Sequence, residues 1–182
     1  MRIHAAMLAV AAVLLTSCGT YDDPLDSYAM GVRWYDRGNY SEAAKLWQLL
    51  AEHGDCDAQY RYGHLLWLGL GVKMDKAAAF KFFEDAANAG QPKGQVALGD
   101  LAFARDKSTY VCRENCIYDI VVAYKWYLLA EHGAYYEGEK TYVAEALADI
   151  RSRMTAAQKL RGEAMATEWH PYPKACEPRH LL

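Results

Sequence analysis

Apolar positions recur along this chain with a helical period, and they divide it into units of two helices each. The hexapeptide LLAEHG ends two of these units, at Leu49–Gly54 and at Leu128–Gly133. Counted on the glycines that close successive units, Gly54, Gly90 and Gly133, the spacing is 36 and then 43 residues. A repeat of about 20 to 50 residues is typical of solenoids. No strand-like alternation competes with it, so the pattern predicts an all-α protein.

The first unit has small and apolar residues at the spacing of two packed helices. They are Met30, Gly31, Trp34, Gly38, Tyr40, Ala43 and Trp47. Gly31 and Ala43 would let the two helices approach closely, and Gly38 with Asn39 supplies the turn. Gly54 is expected to end the second helix in the left-handed conformation. This arrangement resembles the tetratricopeptide repeat.

The second unit carries the most specific motif, which from Ala58 reads A-x3-Y-G-x2-L-x2-G-x-G-V-x2-D. It resembles the Sel-like repeat (SLR), a relative of the tetratricopeptide repeat with a longer loop between its helices. Tyr62 and Leu66 are apolar replacements for the residues that the family usually has there. Asp75, the last motif residue, is expected to cap the next helix.

The third unit keeps the register but departs from the family in its loop. Pro92 suits a helix start and Leu98-Gly99 matches the repeat, whereas a longer DKSTYVCRENC segment replaces the glycine loop. That loop's shape is left open. A last helix pair is expected from about Ala134 to Trp169, and Thr155 should open its second helix with a capping box.

The resemblance implies a right-handed α-solenoid of about four antiparallel helix pairs over residues 27–170. Residues 171–182, which are rich in proline, are predicted to form a non-helical tail. A single hairpin cannot bury its apolar face, but stacked hairpins bury theirs together. Such stacking leaves a concave surface lined by the first helix of each unit.

The start of the sequence has the features of a secretion signal. Residues 1–17 contain Arg2 and an apolar run to Leu15, which is long enough for a signal-peptide core and too short for a membrane-spanning helix. The run ends in Leu-Thr-Ser-Cys18, which resembles a bacterial lipobox, so we expect Cys18 to be lipidated and 18–26 to be a linker. By the same resemblance, Gly19 favours an outer-membrane anchor facing the periplasm.

Four further cysteines would be exported with the chain, and export permits disulfides. Cys112 and Cys116 lie in the predicted loop at one end of the helices, whereas Cys56 lies between units at the other end. A helix of about 13 residues separates these ends by about 20 Å, too far for a disulfide. We therefore predict Cys112–Cys116 and, through the tail, Cys56–Cys176. Metal binding at the C-x3-C pair is disfavoured because no histidine or second cysteine pair lies nearby.

Composition and motifs favour a binding protein over an enzyme or a nucleic-acid-binding protein. The net charge of −3 offers no basic surface for phosphate backbones. No nucleophile elbow, zinc-protease motif or phosphate-binding loop is present. Glu52-His53 and Glu131-His132 are adjacent on a helix and point in different directions, so we interpret them as structural. We therefore predict no catalytic residues, no metal and no cofactor.

The tetratricopeptide register predicts which side chains face the concave surface. The partner-binding candidates are Tyr28, Val32, Tyr35, Asp36, Tyr60, His64, Trp67, Val96, Asp100 and Phe103. Five of them are aromatic, and aromatic residues are enriched at interface hot spots. Other apolar residues are predicted to pack in the core: Trp47, Tyr62, Leu66, Phe82, Phe83, Leu98 and Trp126.

The resemblance implies a non-enzymatic lipoprotein that holds a protein partner in the periplasm. Proteins of this family include immunity proteins that neutralise lipase effectors of type VI secretion, and also scaffolds of envelope assemblies. A third alternative is peptidoglycan or β-lactam binding or hydrolysis, known from cysteine-rich members. It is weakened because the first unit here has no cysteine pair. The expected partner is a protein, which in the immunity role is a toxic phospholipase effector. The chain is expected to contact a membrane through its lipid anchor alone.

Overall fold

The computed structural model describes residues 24–103, 120–133 and 137–171. This part of the chain is helical, with no strand among the described residues. Its helices are α1 (Pro24–Asp36), α2 (Tyr40–Glu52), α3 (Cys56–Leu68), α4 (Lys76–Asn88), α5 (Pro92–Phe103), α6 (Ile120–Gly133), α7 (Glu137–Arg153) and α8 (Ala156–Thr167). The predicted all-α class is confirmed. The leader at 1–17, Cys18 and the last eleven residues of the tail lie outside the described residues, and the segmentation of the chain stays a prediction.

The helix ends follow the sequence signals closely. The Asp75 carboxylate accepts a hydrogen bond from the Ala78 backbone N–H at 3.0 Å, and Thr155 forms the predicted capping box. Asp55 caps α3 in the same way as Asp75 caps α4. Gly54 has a positive φ of 87°, as the turn after α2 requires. Gly133 differs, since it is the last residue of α6 and its φ is not positive.

Within a unit, the two helices pack closely because the first helix presents glycine to an aromatic ring of the second. A Cβ added at Gly31 would overlap the Trp47 indole, and one at Gly63 would lie 2.9 Å from the Phe83 ring. Trp47 itself is fully buried. The predicted close approach of α1 and α2 is therefore confirmed.

Two hydrophobic clusters form the interior. The larger one runs through α2, α3 and α4 and reaches Leu98 and Trp126. The smaller one joins α6 and α7 around Tyr124, Tyr127 and Leu147. Of the seven residues predicted to be core, all are buried except Phe82, which is half-buried with its ring edge-on to Tyr62.

Consecutive units are joined by a buried glutamine that the sequence pattern did not indicate. The Gln91 side-chain oxygen accepts a hydrogen bond from the Gly94 backbone N–H at 2.6 Å, which caps the start of α5. Its amide nitrogen donates to the Asp57 carboxylate at 3.1 Å, at the start of α3. Gln91 therefore fixes the first helices of units two and three relative to each other.

The last two helices close the stack differently from the earlier hairpins. α7 and α8 each pack against α6 rather than mainly against each other. Gly162 of α8 brings that helix against the Tyr124 ring. The Tyr124 hydroxyl donates to Glu163 and accepts from the Arg151 Nε, each at 3.2 Å. The two helices of the expected final pair are present, and Tyr124 of α6 links them through these hydrogen bonds.

Candidate functional site

A concavity lies between α3, α5 and α7. We call it the groove, and its volume is about 580 Å³. Cavities of about 300–1,000 Å³ are the usual size of ligand sites. Its lining residues are Tyr60, His64, Trp67, Leu68, Phe83, Pro92, Lys93, Val96, Ala97, Asp100, Leu101, Ala130, Gly138, Glu139, Tyr142 and Val143.

The walls of the groove are mostly aromatic and aliphatic. The buried Phe83 ring is one of them, and its centroid lies 6.0 Å from that of Tyr60 and 6.3 Å from that of Trp67. Leu68 on α3 and Tyr142 on α7 are 50% and 48% exposed at its edges. Large apolar side chains exposed beside a concave surface are typical of interaction sites. The groove is thus suited to bury an apolar segment of a ligand.

One carboxylate, that of Asp100, lies between these walls. Its Oδ1 accepts hydrogen bonds from the hydroxyls of Tyr127 and Tyr142, the second at 2.7 Å. Burial raises the pKa of Asp100, while the two hydrogen bonds oppose that rise. Burial and the bond to Asp100 raise the pKa of Tyr142 to about 12, and the pKa of Tyr127 rises for the same reasons. Both tyrosines therefore remain neutral donors to Asp100.

The other polar groups of the groove are paired or neutral. Lys93 Nζ lies 3.0 Å from Glu139 Oε1, an ion pair that links α5 to α7. Burial, together with the nearby Arg61 charge, lowers the pKa of His64, so its imidazole is uncharged at neutral pH. Hydrophobic contact with a few placed polar groups is the usual composition of a binding site.

The structure brings together five of the side chains that the sequence predicted for the concave face. Tyr60, His64, Trp67, Val96 and Asp100 all line the groove. Their role in binding a partner stays a prediction, but their shared location supports it. They come from α3 and α5, the first helices of units two and three.

Phe103 and Asp36 lie outside the groove. Phe103 lines a neighbouring cavity of about 360 Å³ next to Asp100, and the Arg153 guanidinium lies 5.3 Å from its ring. Asp36 is exposed at the end of α1. A contact of either residue with a partner would require an interface larger than the groove.

Tyr28, Val32 and Tyr35 pack against the larger cluster and are half-buried. The two tyrosines surround Arg61 together with Trp47. Arg61 Nε donates to the Tyr28 hydroxyl at 3.4 Å, and its guanidinium lies 6.0 Å from the Tyr35 ring. This position joins unit one to unit two, which is a structural role that the sequence assignment to the concave face did not include.

The sequence pattern missed the contribution of α7. Glu139 and Tyr142 of α7 line the groove and are three positions apart in the sequence. Lys93 and Val96 of α5, which also line it, have the same spacing. Glu139 and Tyr142 could have been identified by continuing the helical repeat beyond Gly133, so that the first helix of the last pair also faces the concave surface. The fold therefore places three first helices around one cavity.

The cysteine predictions lie mostly outside the described residues, which include Cys56 alone. Cys56 is disulfide-bonded. Because Cys112, Cys116 and Cys176 lie in the parts not described, both predicted pairings stay predictions.

Among the described residues, no three His, Cys, Asp or Glu side chains are grouped as a metal site would require. None of the described helices combines the length and apolar character needed to cross a bilayer.

The hydrogen bonds at Asp100 lead to a spectroscopic prediction. In Asp100→Asn the carbonyl oxygen can still accept from both tyrosines, but the charge is gone. We expect the pKa of Tyr142 to fall from about 12 and to stay above the ordinary tyrosine value of about 10, because burial remains. The measurement is a pH titration of ¹³Cζ-tyrosine NMR signals, assigned with Tyr142→Phe. An unchanged pKa in Asp100→Asn contradicts the described hydrogen bond.

Comparison with known proteins places this architecture among solved folds. No family model matches the chain. A stretch of 78 residues is 32% identical to the chitin synthase regulator SKT5 of Saccharomyces cerevisiae, and it covers 43% of this chain and 11% of that protein. The chain thus spans about a tenth of this curated relative.

Two crystal structures have the same fold over most of the chain. A protective antigen present in uropathogenic Escherichia coli strains, which displays an SLR fold, matches with a TM-score of 0.67 and 22% identity over 81% of this chain and 30% of its own. A Sel1 repeat protein from Oxalobacter formigenes matches with a TM-score of 0.53 and 16% identity over 86% of this chain and 77% of its own. The chain therefore has the fold of the Sel-like repeat proteins, as its second unit predicted.

Proposed function

We propose that this chain is a non-enzymatic binding module whose groove receives part of a partner protein. The observation that carries the proposal is the groove itself, where three helices of successive units present aromatic and aliphatic side chains around a few polar groups. None of the described residues that line it is a serine, threonine or cysteine. The similarity to a protein named as a regulator of chitin synthase supports a role in binding another protein.

The proposed partner is a lipase effector of type VI secretion, which the chain would neutralise as an immunity protein. The support is the family resemblance together with the geometry, because an inhibitor needs only to cover the surface of its target. Expression of this chain in the periplasm of a sensitive strain is then expected to protect it from such an effector, measured as survival. Survival equal to that of a strain without the chain argues against the immunity role.

The second candidate is a scaffold for an envelope assembly, and apolar side chains exposed outside the groove favour it. Leu49, Met74 and Phe80 are 56%, 57% and 37% exposed, and none of these three side chains lines the groove. A scaffold would hold two proteins at once through separate surfaces. An immunity protein needs one.

Photo-cross-linking from defined positions tests which surface binds. We expect benzoylphenylalanine at Leu68 or at Tyr142, on the two edges of the groove, to give adducts with the same partner. The matched control is Leu160, which is 68% exposed on α8 and does not line the groove. Adducts from Leu160 with none from the groove positions contradict the proposal. Adducts with different proteins from the groove and from Met74 support the scaffold.

We also propose that Cys18 anchors the protein by lipid in the outer membrane, facing the periplasm. The support is the Leu-Thr-Ser-Cys sequence after an apolar run. Cys18→Ala is expected to move the protein from the membrane pellet to the soluble fraction, measured by immunoblot after ultracentrifugation. Thr16→Ala serves as a control that keeps the cysteine. Equal membrane sedimentation of Cys18→Ala and wild type overturns the anchor.

A further inference from the structure

Asp100 is a half-buried carboxylate that has hydrogen-bond donors but no ion pair within the described structure. Both of its hydrogen bonds come from neutral hydroxyls, those of Tyr127 and Tyr142. The described ion pairs use other acidic residues. Removing a charge from water is unfavourable unless the new surroundings compensate it. Two hydroxyl donors compensate Asp100 in part, and a cation would complete the compensation.

Among the described lining residues, the charged groups leave one negative charge in excess. Glu139 is paired with Lys93 at 3.0 Å, and His64 is held neutral by burial and by Arg61. Lys76 lies beside the groove, with its Nζ 5.0 Å from the Trp67 ring centroid, but it is not among the lining residues. The groove lining therefore attracts a positive charge to Asp100.

We propose that the groove recognises an arginine or lysine side chain of the partner protein, flanked by apolar residues. This inference rests on the proposed protein-binding function. The charged end would pair with Asp100, where a charge-assisted hydrogen bond is stronger than a neutral one. The aliphatic stem would lie along Tyr60 and Phe83, since long basic side chains bury their methylene groups on apolar surfaces.

The size and walls of the groove indicate a protein segment rather than a small cation. At about 580 Å³, the cavity can hold a basic side chain and parts of its neighbours. Leu68 on α3 and Tyr142 on α7 line the groove and are about half exposed, and residues before and after the basic side chain would pack on them. A free guanidinium or ammonium ion would leave these walls uncovered.

Short peptides that stand in for the partner segment test this recognition. The probes are acetyl-Gly-Leu-X-Leu-Gly-amides in which X is arginine, glutamine or glutamate, titrated against ¹⁵N-tryptophan-labelled protein. The Trp67 indole N–H signal reports binding in the groove. In the wild type we expect the arginine peptide to bind about tenfold more tightly than the glutamine peptide, and the glutamate peptide to bind more weakly still.

The decisive variant is Asp100→Asn, which keeps an oxygen for the two tyrosines and removes the charge. The ratio of arginine to glutamine affinity should fall from about tenfold to about one in this variant. Glu84→Gln is the matched control, because it removes one negative charge from an exposed position of α4 outside the groove. It should leave the ratio unchanged.

Three results with the peptides overturn the inference. They are a ratio that survives Asp100→Asn, a wild type that binds the arginine and glutamate peptides equally, and the absence of a Trp67 shift at the solubility limit of the arginine peptide. Ethylguanidinium binding as tightly as the arginine peptide also overturns it, because the flanking residues would then contribute nothing. Cross-linking from Leu68 tests the protein-binding function separately, so adducts there with an unaltered ratio in Asp100→Asn remove this inference alone.

Discussion

Gly71→Ala is expected to destabilise the fold by about 3 kcal/mol or more, because it combines an unfavourable backbone conformation with a direct overlap. Gly71 lies in the loop between α3 and α4 with a φ of 69°. A Cβ added there would overlap backbone atoms of Tyr40 and Ser41, at the start of α2. A backbone cannot move aside as a flexible side chain can, so the loop of unit two would separate from unit one.

Gly38→Ala is the matched control for this prediction. Gly38 also has a positive φ, 77°, but no atom lies within 4 Å of the Cβ that alanine would add. This substitution should therefore lower the free energy of unfolding only by the cost of placing alanine at a positive φ, about 1 kcal/mol. Urea unfolding followed by far-ultraviolet circular dichroism measures both variants. Equal losses for Gly71→Ala and Gly38→Ala refute the close contact between the loop and α2.

The comparison of these glycines shows what the repeat motif predicts and what it omits. The motif includes Gly69 and Gly71, so the sequence predicted a glycine loop and the helix that starts after Asp75. It did not show that Gly71 touches the preceding unit, because that contact depends on the rotation between stacked hairpins. The helix caps at Asp75 and Thr155 and six of the seven core positions depend on local sequence, and these the sequence predicted.

The polar arrangement of the groove could be predicted only in part. The register placed Tyr60, His64 and Asp100 on the concave side, and they do line one cavity. The hydrogen bonds of Asp100 come from Tyr127 on α6 and Tyr142 on α7, which lie 27 and 42 residues further along the chain. These contacts depend on how α6 and α7 pack. That packing differs from the earlier units, because α7 and α8 each pack against α6 rather than mainly against each other.

The same distinction explains Tyr28 and Tyr35. Their spacing on α1 fits the concave face, and the sequence assigned them there. In the structure Arg61 of the next unit donates to the Tyr28 hydroxyl and lies over the rings of Tyr35 and Trp47, so both tyrosines are used between units. The sequence pattern of α1 alone does not indicate that an arginine of the next unit contacts these tyrosines.

Trp47→Ala is expected to cost about 3–5 kcal/mol, the range for removing a large aromatic side chain from a core. Trp47 is fully buried, and its ring centroid lies 5.6 Å from that of Tyr35. Its indole also fills the space left by Gly31 and lies 5.5 Å from the Arg61 guanidinium. The variant thus leaves a cavity and removes one of the two rings over which the Arg61 guanidinium lies.

Trp34→Ala is the control, since Trp34 is half-buried and lies under the Arg37 side chain near the surface. We expect it to cost about 1 kcal/mol. Because each unit of a solenoid contacts mainly its neighbours, the loss at Trp47 should be local. Hydrogen exchange in Trp47→Ala is then expected to accelerate in α1 and α2 first, while the amides of α6 and α7 keep their protection. Uniform acceleration along the whole chain contradicts this, since it requires the two hydrophobic clusters to unfold as one unit.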